Sequence, residues 1–288
     1  MNIIITIKTK FKISDNNIMR LDKFILAYDG NKYREVKKHL NLSRIIAKNY
    51  DVIAEPFCGI FGFTRAIAEI NKNPDTLYYL NDINTDIINF YKNISLDLIK
   101  EYLGIIDSLP ENGLSATDIA DPIIKLIGRG MCISYFDKHK ALQKCKHFIE
   151  HWEQWQAFFS RCRFYNLPAS EFYALLPNNT FIFYDPPYFH SNCEQYIKHL
   201  DNIDGTQYYI DIYQEMKARK FDSILITNDI AIISYMYKAE FTYFIFEGRY
   251  NNSTKSRQTR SVGENNFRKN KKVHVVFDNI KKIRLKLI

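Results

Sequence analysis

Continuous apolar runs punctuate this chain, and between most of them apolar positions recur at the three- and four-residue spacing of an amphipathic helix. DVIAEPF (51–57) and TLYYLND (76–82) read as strands on either side of FGFTRAIAEINK, a helical pattern. A longer helix follows, with Thr85 as the expected N-cap before DIINFYKNI. FIFYD (181–185), SILITND (223–229), TYFIFEG (242–248) and KVHVVFD (272–278) are further strands, and QYYIDIYQEMKARK is helical between the first two of these. Near-continuous apolar strands joined by helices predict an α/β fold built on a mostly parallel sheet covered on both faces. No helical pattern separates 242–248 from 272–278, so those two strands are expected to pair antiparallel.

Residues 101–168 break this rhythm. They read as helical, most clearly in HFIEHWEQWQAFFSRCRF, and lack strand alternation. From 125 to 165 the chain carries eight Lys or Arg against three Asp or Glu, which as charge alone suits a solvated basic face. RYNNSTKSRQTRSVGENNFRKNKK (249–272) is a second basic segment, and its Asn, Ser, Thr and Gln suit phosphate contacts.

Composition narrows the class. A content of 46% hydrophobic and 25% charged residues over 288 residues gives enough apolar material for a substantial core. The net charge of +8 favours a polyanionic partner. Five cysteines without a CxxC pair predict reduced thiols in a cytoplasmic protein, and no run of 18 apolar residues predicts a membrane span. The start, MNIIITIKTKFKISDNN, reads as an extra strand pair rather than a signal peptide.

Ligands of open α/β sheets lie beyond the carboxyl ends of the strands, and three candidates fall there. In EPFCGIFG (55–62), Gly59 permits a tight turn with close backbone approach. Asp82 ends the next strand at a distance along the chain that suits an acid reading ribose hydroxyls, so the pair favours an adenosine-containing ligand. The absence of GxGxxG argues against a pyrophosphate. Separately, Asp82 could cap a helix and Gly59 merely turn the chain. In DPPY (185–188), Pro186 and Pro187 lock the backbone, so that the Asp185 carboxylate and the Pro186 carbonyl hold one orientation. Tyr188 adds a flat face beside these acceptors, and the combination suits a planar group bearing an amine.

The order EPFCG, LNDIN, DPPY resembles the Dam-like (D12 class, alpha-group) DNA adenine N6-methyltransferases that use S-adenosyl-L-methionine. AYDGNK (27–32) resembles that family's N-terminal cofactor motif in its phage-type form, and SEF (170–172) its acidic-aromatic motif. The resemblance spans roughly residues 21–278. It implies a Rossmann-like class I methyltransferase sheet formed by 21–100 and 169–288, a helical target-recognition insertion at 101–168, and an N-terminal extension at 1–20. It further implies cofactor contacts from Tyr28, Gly30, Lys32, Glu55, Phe57, Gly59, Asp82, Glu171, Phe172 and Asp185, with Asn228 a lesser pocket candidate. One departure stands out: Phe61 occupies the family's second glycine position and Gly62 follows one place late, which predicts a reshaped loop.

By this resemblance, Asp185 and the Pro186 carbonyl would accept the two N–H bonds of an adenine amine, and Tyr188 would stack on the base after it is flipped from the duplex. No metal is required. Arg129, Lys138, Lys140, Arg161 and Arg163 of the insertion, with Lys255, Arg257 and Arg260 of the late loop, are the expected phosphate contacts. Double-stranded DNA is the expected partner, with the protein a monomer or weak dimer in the cytoplasm of a bacterial, phage or mobile-element host; a cognate restriction enzyme is compatible with this. Three rivals stay open at this point: the same fold acting on RNA or a protein amide, a catalytically weak DNA-binding remnant, and a zinc site at HFIEH (147–151).

Overall fold

In the computed structural model, residues 21–280 are described, except 22, 28–30, 38–39, 112–113, 130–134, 188–204, 219, 229–230, 250–270 and 279. The expected N-terminal strand pair, Tyr28, Gly30, Tyr188, Lys255, Arg257 and Arg260 therefore lie outside the described residues.

The strands are β1 (Val52–Glu55), β2 (Leu77–Asn81), β3 (Cys162–Tyr165), β4 (Thr180–Tyr184), β5 (Asp222–Asn228), β6 (Thr242–Arg249) and β7 (Lys271–Asp278). They form one sheet in the order β3-β2-β1-β4-β5-β7-β6. The first five run parallel, and β7 is antiparallel to both β5 and β6; of these antiparallel pairings, β6 with β7 is the one the strand pattern predicts. Successive strands step outward one way from β1 through β2 to β3, and the other way from β4 to β5. The order thus reverses between β1 and β4, and EPFCG and the residues Asp185, Pro186 and Pro187 emerge side by side at that switch point.

Before β1 come α1 (Tyr33–Lys37) and α2 (Leu40–Asn49); α3 (Gly62–Ala68) joins β1 to β2. The crossover from β2 to β3 holds α4 (Thr85–Asn93), α5 (Leu96–Ser108), α6 (Pro122–Gly128), α7 (Lys138–Glu150) and α8 (Trp152–Phe159). Then come α9 (Ala169–Ala174) before β4, α10 (Gly205–Ala218) before β5 and α11 (Ala231–Lys238) before β6.

Alternation along the buried strands divides the core into two layers. Ile53, Phe181, Phe183, Ile224 and Ile226 face α3 and the crossover helices. Ala54, Ile182, Tyr184 and Leu225 face α9, α10 and α11. The crossover helices share the first layer: Ile99, Ile123, Phe148, Trp155 and Phe158 belong to the same cluster as Ile53. Among the described residues, no helix is long and apolar enough to cross a membrane. Cys58, Cys145 and Cys162 are buried free thiols.

Two sequence expectations need correction. The helical reading of HFIEHWEQWQAFFSRCRF ends at Phe159, because Cys162–Tyr165 leaves the helix to hydrogen-bond with β2 as an edge strand. Thr85 is the first residue of α4 and not its cap. The Asn84 side chain accepts the N–H groups of Asp86 and Ile87, and its extended backbone suits the capping position.

Candidate active site

The site begins at the last residue of β1. Glu55 is only 3% exposed, and its carboxylate accepts the Thr64 N–H at 2.7 Å. Burial pushes its pKa up to about 8; the Asp185 charge adds to this, while the Thr64 hydrogen bonds and Arg65 oppose it. The chain then turns sharply, with Gly59 at φ 47° and Phe61 at φ 43°. Phe61 thus adopts the left-handed conformation that glycine supplies most cheaply, at a cost of about 1–2 kcal/mol. Its fully buried ring lies 4.8 Å from Phe24, 4.9 Å from Tyr91 and 5.6 Å from Phe158. Burying a phenylalanine contributes about 1.5–3 kcal/mol, enough to offset that strain. The aromatic layer beneath the loop therefore permits Phe at this position.

Gly62 has a different task. A Cβ there would stand 2.5 Å from Asn31 Oδ1, 2.9 Å from the Lys32 nitrogen and 2.9 Å from the Tyr33 nitrogen. Asn31, Lys32 and Tyr33 pass directly over the start of α3, and this brings Lys32 to the switch point. Lys32 Nζ lies 2.9 Å from Asp185 Oδ2, with the two side chains 4% and 17% exposed. Asp185 directly follows β4, and the turn after it is held from below. Tyr209 donates to the Pro187 carbonyl at 3.4 Å, Thr227 of β5 donates to the Tyr209 hydroxyl, and the Tyr237 hydroxyl donates to the Tyr209 carbonyl. Pro186 is buried.

One residue past β2, the partly exposed Asp82 accepts the Gly59 N–H at 2.8 Å and the Asn84 N–H at 2.9 Å. Its carboxylate thus braces the Gly59 turn. The Phe57 ring meets the Tyr208 ring edge-on at 5.6 Å. Burial, with a further contribution from Asp82, raises the Tyr208 pKa and places this tyrosine near the same pocket. Sequence reasoning missed Tyr208, which reads only as an apolar position of α10. It also missed Asn81, whose buried amide donates to the carbonyls of Pro56 and Leu167 and accepts the Leu167 N–H. The signal was an asparagine at the end of an otherwise apolar strand.

Glu171 is exposed in the first turn of α9. Phe172 is wholly buried against Tyr165 at 5.4 Å, so it supports the pocket by packing and presents no surface to a ligand. Asn228 ends β5, paired with His274.

The expected phosphate contacts separate. Lys138 is 7% exposed, and its ammonium is engaged by the Leu109 carbonyl at 2.5 Å and Glu111 at 2.9 Å. It closes the C-terminal end of α5 and is not a surface cation. Lys140 is exposed and Arg129 partly so. Arg161 precedes β3 at the amino end of the sheet, its guanidinium 5.1 Å from the Tyr78 ring. Arg163 donates back to the Ser160 and Cys162 carbonyls, towards that same end. In HFIEH, the ligand atoms of His147, Glu150 and His151 lie within 4.8 Å of one another. Because a carbonyl can only accept, His151 Nδ1 carries the proton it shares with the His147 carbonyl at 2.9 Å. This bond serves the break between α7 and α8, where His151 terminates one helix and precedes the next.

Three carboxylates, one ammonium and a left-handed backbone turn thus converge at the carboxyl ends of adjacent strands. No curated protein matches the chain. Residues 28–117, which include Lys32, the Gly59 turn and Asp82, match the family model for D12 class N6 adenine-specific DNA methyltransferase. Asp185 lies outside that window, and the sheet returns it to the same point through the β1–β4 pairing. Fold and motif order agree with that match: residues 28–117 of this chain are similar to the D12 class of N6 adenine-specific DNA methyltransferases.

Proposed function

We propose that this enzyme moves the methyl group of S-adenosyl-L-methionine to N6 of an adenine flipped out of duplex DNA, by direct in-line attack of N6 on the methyl carbon with Asp185 orienting the amine; the sulfur–methyl bond would break, S-adenosylhomocysteine would leave and the methylated amine would shed a proton. The observation that carries the reading is the Lys32–Asp185 pair at 2.9 Å, set beside Glu55 across the switch point. The residues present fit the cofactor chemically. Asp82 and Asp185 are carboxylates at strand ends, suited to a ligand with hydroxyl donors and a positive charge. Asp82 would take the ribose hydroxyls, Phe57 and Gly59 would line the adenosine pocket, and Glu55, Lys32 and Tyr28 would close the methionine side. When bound, S-adenosyl-L-methionine supplies a methyl group activated by its sulfonium.

Asp185 and the Pro186 carbonyl accept the two N–H bonds of the amine and direct its lone pair, while Tyr188 stacks on the base. The ammonium of Lys32, 2.9 Å from Oδ2, holds the Asp185 carboxylate in place. Such fixed acceptors stabilise the positive charge growing on N6, and alignment of the reacting atoms supplies much of the rate.

The test is incubation with methyl-labelled cofactor and unmethylated duplex DNA, RNA or protein, followed by identification of the labelled product. N6-methyladenine in DNA is expected, with a loss of at least about 100-fold in Asp185→Ala. Label confined to RNA or protein would overturn the proposal.

A further inference from the structure

The N-terminal segment that carries Lys32 pairs with no strand of the sheet among the described residues; two buried side chains hold it instead, Arg65 of α3 and Glu69 at its C-cap. Arg65 and Glu69 stand one helical turn apart, with the Glu69 N–H bonded to the Arg65 carbonyl, so their side chains share a face. Glu69 Oε1 accepts the Leu21 N–H at 2.5 Å and the Tyr33 hydroxyl, and its other oxygen meets Lys37 Nζ at 2.5 Å. Arg65 Nη1 donates to the Leu21 carbonyl at 2.9 Å, and Nη2 donates to Asn31 Oδ1 at 3.2 Å. Asn31 Oδ1 also accepts the Tyr33 N–H at 3.1 Å, which turns the chain into α1. One planar guanidinium thus bridges Leu21 and Asn31, and the residue after Asn31 is Lys32.

The choice of residue type supports a geometric task. Arg65 is wholly buried, ringed by the faces of Phe24, Tyr33 and Phe61 at 5.4, 5.1 and 5.9 Å. Its Nε has no hydrogen-bond partner. Burying a guanidinium is costly, and an apolar side chain could fill the same space at lower cost. Lysine, with one point of charge, could not serve two acceptors set apart in the guanidinium plane. The neighbouring Thr64 N–H is bonded to Glu55, so α3 ties the cofactor loop and the Lys32 segment to one rigid element.

We infer that Arg65, with Glu69, is a positioning residue for methyl transfer: it acts through Asn31 to set the Lys32 ammonium against Asp185. This rests on the methyl-transfer reading above, and its test separates the two. Single-turnover transfer from labelled S-adenosyl-L-methionine to duplex DNA is measured for wild type, Arg65→Lys, Lys32→Ala and the double variant, together with KM for DNA and the thermal midpoint. Arg65→Lys is expected to lower the transfer rate by about 10- to 100-fold and leave KM for DNA within about twofold. The double variant is expected to be no slower than Lys32→Ala alone, within about twofold, because both changes remove one interaction. A merely structural loss would instead multiply with the Lys32→Ala loss. Multiplying losses, or an unchanged rate in Arg65→Lys, overturn the inference while wild-type methylation keeps the reading intact; absence of wild-type transfer overturns both. If Arg65→Lys does not fold, Asn31→Ala at an exposed position enters the same cycle, with a smaller loss and the same non-multiplying pattern expected.

Discussion

Glu55 shows how one buried acid ties stability to pH. Its ordinary value of 4.5 is raised to about 8 in the folded chain, chiefly by burial. Between those values the folded state holds a proton that the unfolded state has released. Its contribution is therefore fully present below about pH 4.5 and is lost as pH rises through about 8. Within that window stability falls with rising pH by up to about 1.4 kcal/mol per unit. Glu55→Gln keeps an acceptor for the Thr64 N–H and removes the titration. Urea midpoints at pH 5, 6.5 and 8 should show the variant gaining on wild type as pH rises; parallel curves would refute the assignment. The sequence placed Glu55 in a cofactor motif, but its burial depends on α3 folding back over β1. Phe61 has a similar history. Its departure from glycine was readable, whereas its tolerance depends on Phe24, Tyr91 and Phe158 meeting beneath it from three distant segments. Arg65 escaped sequence reading altogether, since a lone arginine in FGFTRAIAEINK gives no sign of being buried.

At the scale of elements, strands buried on both faces were legible because apolar runs such as FIFY admit few other structures. The edge strand β3 was not. Its four residues show one buried position followed by exposed and half-buried ones, and they follow α8 with only a short turn between. Such a segment acquires its strand character from its partner β2, which local sequence does not display. The approach of Asn31, Lys32 and Tyr33 to α3 was equally hidden, yet it sets a sharp steric demand. In Gly62→Ala the new methyl meets two backbone nitrogens at 2.9 Å as well as Asn31 Oδ1 at 2.5 Å, and backbone cannot swing aside as a side-chain tip can. The segment must retreat from α3 and take Lys32 from Asp185. The expected result is a thermal midpoint several degrees lower, from about 1–3 kcal/mol of overpacking. The methylation rate should also fall by about tenfold or more. Wild-type rate in this variant would show that the Lys32–Asp185 contact does not depend on the crossing.

For the molecule as a whole, charge counting located a basic crossover, and only the topology says which part of it can reach DNA bound at Asp185. Strand register places Arg161 opposite Leu77, which is level with Val52 and Thr180 at the amino ends of their strands. Asp185 lies five residues beyond Thr180, about 16 Å further along the strand direction. Arg163 turns its guanidinium back towards the amino end as well. The α6–α7 junction lies elsewhere: the Leu126 carbonyl accepts the Ala27 N–H at 2.9 Å, just before the segment that delivers Lys32, and the Gly128 carbonyl accepts the Asp137 N–H. On the proposed reading Arg129 and Lys140 are the insertion's phosphate contacts, whereas Lys138 and Lys144 are spent on the carbonyls of Leu109 and Ile127. Neutralising one phosphate contributes about −0.9 to the slope of log affinity against log salt. Arg129→Ala and Lys140→Ala should each shallow that slope for duplex DNA by about this amount. Arg161→Ala and Arg163→Ala should leave it unchanged, and Lys138→Ala should lower the thermal midpoint without touching the slope. A shallower slope in Arg161→Ala, with none in Lys140→Ala, would put the duplex on the opposite end of the sheet and separate the basic crossover from the site at Asp185.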